Sequence, residues 1–89
     1  MNEFIVGSFV IATAGHDSGK YYVIFETDHE YVYLVDGRIR TLDRPKKKKE
    51  IHVRMLSEID QSLADKVKCK TVRNEEIKRA IKLLSKEVE

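Results

Sequence analysis

Eighty-nine residues support one domain with an appendage rather than two independent cores. With 42% hydrophobic and 36% charged residues, the chain can build a modest core inside a strongly polar exterior. A net charge of +2 does not by itself demand a polyanionic partner, and the single Cys69 excludes an intramolecular disulfide or a cysteine-based metal site.

Ser8 to Ala14 is apolar and rich in strand formers (Phe9, Val10, Ile11, Thr13), and it stops at Gly15. Tyr21 to Thr27 is a second such run, centred on Val23, Ile24 and Phe25, and Asp28-His29-Glu30 supplies a polar turn. Tyr31 to Val35 is a third run. Either Val32 and Leu34 or Tyr31, Tyr33 and Val35 can form its core face, because a slip of one residue exchanges the two. Asp36-Gly37 ends it with a strong turn signal, since glycine adopts positive φ without steric cost. A short fourth strand is expected over Arg38 to Leu42 and a fifth over Ile51 to Met55. Five short strands with tight turns and no intervening helix point to a small barrel.

The final third changes character. Ile59, Leu63 and Val67 have helical spacing within a short polar segment from Ser57 to Lys68. A firmer helix is predicted from Asn74 to Val88: Asn74 is placed to cap it, and Glu75 and Glu76 complement its dipole. Ile77, Ile81, Leu84 and Val88 form an apolar stripe there, and Lys78, Lys82 and Lys86 recur every fourth residue on another face. No window approaches the roughly 18–20 apolar residues of a membrane span. The first residues lack the positive start and long apolar run of a signal peptide, so a reducing, cytoplasmic setting is expected.

Charge is unevenly distributed. Met1 to Gly37 carries one lysine against six acids, whereas Arg38 to Arg54 carries eight Lys/Arg against two acids. The basic side chains are Arg38, Arg40, Arg44, Lys46, Lys47, Lys48, Lys49 and Arg54, with His52 among them. Such a strip attracts a polyanion through release of its counterions. Its plain alternative is a mobile, solvated loop, which a lysine run after Pro45 would also suit.

Gly15-His16-Asp17-Ser18-Gly19-Lys20 invites a phosphate-loop reading, but the Walker pattern needs four residues between its glycines and a Ser or Thr after the lysine. Here three residues intervene, Tyr21 follows, and the next element is a strand rather than a helix N-terminus. His16, Asp17 and Ser18 are adjacent in one tight loop, where they cannot easily align as base, orienter and nucleophile; a solvated turn is the better reading. His16, His29 and His52 lack metal-ligand spacing. No catalytic, metal or cofactor site is therefore expected.

Gly7-x-x-Val10, then Gly15-x-x-x-Gly19-Lys20-x-x-Val23-Ile24, resembles the KOW motif of ribosomal proteins and transcription elongation factors. The resemblance runs without a gap to Leu34-Val35-Asp36-Gly37 and on through the basic segment to Ile51-His52-Val53. It implies a mainly β, SH3-like barrel of about five strands at 4–56 and a C-terminal helical extension at 57–89. It also implies a non-enzymatic role in binding RNA, with ribosomal RNA or the ribosome favoured. On that reading Gly15, His16, Gly19 and Lys20 approach the backbone of the RNA, although a hairpin turn alone would explain the two glycines. Arg38, Arg40, Arg44, Lys46 to Lys49, His52 and Arg54 supply the charge. Tyr21, Tyr22, Tyr31 and Tyr33 serve either as packing or as stacking platforms for bases. The alternative is a protein-interaction module of SH3-like type in a translation or transcription complex, with a partner docking on the C-terminal helix.

Overall fold

The computed structural model describes residues 4–87, so Val88 of the predicted apolar stripe lies outside the described residues. Five strands form one antiparallel sheet: β1 Phe9–Ala12, β2 Tyr21–Asp28, β3 Tyr31–Val35, β4 Lys46–Lys49 and β5 Val53–Met55. Two helices follow, α1 Gln61–Lys68 and α2 Asn74–Glu87. The order across the sheet is β4-β3-β2-β1-β5, so the last strand returns to pair with the first.

Alternation along the strands gives the sheet two apolar faces. On one face Val10, Ala12, Tyr22, Ile24, Val32, Leu34 and Val53 pack together. On the other, Phe9, Val23 and Val35 meet Leu63 and Val67 of α1 and Ile77, Ala80 and Leu84 of α2. Val32 and Leu34 therefore share the first face while Val35 points to the helices, which settles the register of β3. Opposite them, Ile24 pairs with Leu34 and Glu26 with Tyr33, leaving Phe25 as an extra, bulged residue in β2. Beyond the bulge the alternation of β2 is shifted by one residue, so that Glu26 rather than Phe25 stands opposite Tyr33.

The strand expected over 38–42 is instead a turn. Asp36 Oδ1 accepts hydrogen bonds from the amides of Arg38 and Arg40, both at 2.9 Å, and the Arg40 carbonyl accepts from Asp36 N. A side chain that takes up local amides in this way competes directly with strand pairing. The fourth strand is the lysine run itself. Tyr31, Val32, Tyr33 and Leu34 face Lys49, Lys48, Lys47 and Lys46 in order. The expected strand over 51–55 shortens to Val53–Met55, because Glu50–His52 forms a single 3-10 turn. That turn is the whole link between the two outer strands. In a flat sheet those strands would lie four spacings apart, about 19 Å, whereas three to four residues of such a turn rise only about 8 Å. The sheet is therefore strongly curled.

The helices dock through glycines. Gly7 (φ +93°) lies against Ala64 of α1, where a Cβ would sit 2.8 Å from the Ala64 Cα. Gly37 (φ +77°) lies under the first turn of α2, where a Cβ would sit 2.2 Å from the Asn74 carbonyl oxygen. α1 is capped by Asp60, whose carboxylate accepts from Leu63 N; Ile59, expected on its apolar stripe, precedes the helix and is exposed. Asn74 does not cap α2. Its Oδ1 accepts from Leu42 N at 2.8 Å, tying helix to loop, while the Glu76 carboxylate reaches back to the Arg73 amide as in a capping box. Among the described residues, no helix is long and apolar enough to cross a membrane.

Candidate nucleic-acid interface

Pairing of β4 with β3 divides the four lysines into two sets, because neighbours on a strand point to opposite faces. Lys46 and Lys48 stand opposite Leu34 and Val32 and lean over the rim of the first core face. Both ammonium groups turn to Asp17 in the loop between β1 and β2: Lys46 pairs with its carboxylate directly, and Lys48 Nζ lies 3.7 Å from Oδ2. Lys48 also donates to the Ala14 carbonyl at 3.0 Å. The Asp17 side chain is 14% exposed and that of Lys48 11%, so this is a sheltered cluster that fastens the glycine loop to the sheet edge. The Lys46 ammonium chiefly holds the Asp17 carboxyl below the usual carboxylate range, against the cost of burial, with Lys48 and the Tyr22 hydroxyl adding to the effect. Burial, and then the charge of Asp17, pushes the Tyr22 phenol up to about 12.

Lys47 and Lys49 belong to the opposite face and are exposed. Lys47 Nζ sits 4.3 Å from the centre of the Tyr31 ring, a cation–π contact that covers one of the tyrosines considered for stacking. Tyr22 is buried and offers bases nothing. The remaining expected contacts are dispersed. His16, Gly19 and Lys20 are exposed along the loop, Arg38 and Arg44 are exposed between β3 and β4, and Arg54 is exposed on β5. Arg40 and His52 are half-buried. A Cβ added at Gly15 (φ +78°) would meet only the Lys48 ammonium, at 3.8 Å, and one added at Gly19 (φ +88°) would face open space. Both glycines sit where the loop requires positive φ.

A second cationic neighbourhood was only half visible in the sequence. The start of β2, the turn after β3 and one flank of α2 enclose an open groove of about 730 Å³. Lys20, Arg38, Lys78 and Lys82 line it, with Tyr21, Ile39 and Ile81 as its apolar portion and Asp36 as its acid. The Asp36 carboxylate is already occupied by the two turn amides. None of the ion pairs formed among the described residues uses Lys20, Arg38, Lys78 or Lys82. The every-fourth spacing of Lys78 and Lys82 signalled a common helix face; that this face meets Lys20 and Arg38 depends on Gly37 admitting the helix. No protein-family model matches the chain, and no curated protein matches it.

Proposed function

We propose that the protein is a non-enzymatic, cytoplasmic RNA-binding domain of SH3-like, KOW type, acting on ribosomal or other translation-linked RNA. The fold reading draws support from the curled five-stranded sheet whose last strand pairs with its first, and from the KOW-like run of residues between Gly7 and Gly37. The functional reading is carried by one observation: cations from three separate parts of the chain converge on one groove, and none of them forms an ion pair among the described residues. Mutually repelling charges gathered in this way gain most from a polyanion, which neutralises them together and releases its own counterions. Lys47, Lys49, Arg44 and Arg54 extend the positive surface, whereas Lys46 and Lys48 share the single Asp17 carboxylate, which cancels one of their two charges and ties both to the fold.

The test is the salt dependence of RNA binding in a K78A/K82A variant. Both side chains are exposed on α2, so folding is retained, and losing two phosphate contacts should flatten the slope of log K against log salt by about 1.4–1.8. An unchanged affinity and slope would remove the groove from the interface.

A further inference from the structure

Resting on that RNA-binding reading, we propose that the groove beside α2 takes an unpaired RNA strand, with phosphates on its lysines and a base against Ile39 and Tyr21. The chemistry of the groove is mixed. Four cations surround it, yet Tyr21, Ile39 and Ile81 contribute apolar surface within the same walls. Ile39 is 71% exposed, although the turn that carries it is tightly ordered. Asp36 bonds the amides on either side of it, and the Arg40 carbonyl accepts from Asp36 N and Gly37 N. The turn thus holds Arg38 and Ile39 out together as a cation beside an apolar surface. A nucleotide has the complementary pairing, an anionic phosphate beside a flat base that gains from leaving water.

Shape separates the two forms of RNA. A duplex offers a convex, rigid cylinder with its bases stacked inside, so only phosphates at its surface would meet the rim of the groove. The volume of about 730 Å³ falls in the range of pockets that enclose a small ligand, about 300–1,000 Å³, which suits one or two nucleotides of a strand free to splay its bases. Lys78 and Lys82 stand one helical turn apart, with about 5–6 Å between such positions, close to the spacing of successive phosphates along a strand. Lys20 and Arg38 line the same groove from the start of β2 and the turn after β3, so the backbone would run between α2 and the turn.

The experiment is a fluorescence-anisotropy titration of the full chain with a labelled 12-nucleotide RNA, single-stranded and annealed to its complement. The expected result is at least tenfold tighter binding of the single strand. An I39S variant should lose about fivefold or more of that affinity with an unchanged unfolding midpoint, because the side chain lies outside the core. Equal or tighter duplex binding, or an I39S variant that binds the single strand as the native chain does, overturns the single-strand assignment and leaves the RNA-binding reading standing. Failure of both RNAs to bind at low salt overturns the reading itself and the assignment with it.

Discussion

All four glycines have positive φ, but their surroundings differ, and this allows a controlled test of how α2 is seated. In Gly37→Ala the new Cβ would lie 2.2 Å from the Asn74 carbonyl oxygen and 2.8 Å from the Lys78 amide nitrogen, both backbone atoms of α2. The helix must withdraw by more than about 1 Å. Three costs follow. The left-handed conformation costs an alanine about 1–2 kcal/mol. A gap of that size forfeits a quarter to a half of the contact energy of a buried side chain such as Ile77, or about 1 kcal/mol. The Asn74–Leu42 hydrogen bond, about 0.5–1.5 kcal/mol, is stretched or lost. The sum is about 3–4 kcal/mol, a large share of the roughly 4–13 kcal/mol expected for a domain of this length. Gly19→Ala is the control. Its φ is +88°, but an added Cβ would meet nothing within 4 Å, so only the conformational cost of about 1–2 kcal/mol applies. Urea unfolding followed by far-ultraviolet circular dichroism should separate the two variants by about 2 kcal/mol, and their melting temperatures by about 8–16 °C. Equal destabilisation would refute the close approach of α2 to this turn.

The lysine run gives a second test. K46A/K48A should cost about 1–3 kcal/mol, because the sheltered Asp17 carboxylate loses its partners. K47A/K49A should stay within about 0.5 kcal/mol of the native stability while flattening the salt slope of RNA binding by about 1.4. Asp17 titrates below its free value of 3.8 in the folded chain, so its contribution is complete above that pH and is lost as pH falls through the lowered value. The stability gap between the native chain and D17N, measured by denaturant titration, should therefore be constant near neutrality and close in acid. Tyr22 has the opposite sign. Raised from 10 to about 12, it stabilises fully below pH 10 and loses that contribution between 10 and 12, a loss that Y22F should lack. A fragment ending at residue 56 leaves Phe9, Val23 and Val35 without their helical cover, so it should bind a hydrophobic dye and fail to unfold cooperatively.

The first three strands were legible in the sequence because each is a run of strand formers that stops at a clear terminator, Gly15, Asp28-His29-Glu30 or Asp36-Gly37, and α2 because its apolar residues recur at helical spacing. The fourth strand was misplaced for two local reasons. Arg38 to Leu42 contains Ile39, Thr41 and Leu42, which suit a strand, but the Asp36 carboxylate and Asn74 Oδ1 take up its amides. Four lysines have no apolar alternation to betray a strand, and their two faces are distinguished only by partners, Asp17 on one side and Tyr31 on the other. The capping of α2 was misassigned because Asn74 and Glu76 are both good capping residues, and the choice between them rests on a contact with Leu42, 32 positions away. The candidate site was half legible for the same reason. Each of its cations is visible in the sequence, but their meeting is a tertiary fact.

α2 connects stability to binding. A 14-residue helix is marginal by itself, so its lysines are held in place only because Ile77, Ala80 and Leu84 bury their side of it against the sheet. The same docking sets Lys78 and Lys82 on one groove with Lys20 and Arg38, on elements whose backbones are already fixed by sheet pairing or by the Asp36 turn. Cations mounted on ordered backbone lose less conformational freedom on meeting a phosphate than the same residues would in a mobile basic loop. The lysine run first suggested such a loop, yet two of its four charges are bound to Asp17 and all four lie on a strand. On the proposed RNA-binding reading, affinity would follow from which cations the fold leaves without an ion pair among the described residues and fixes in position, so a count of charges along the chain overstates β4.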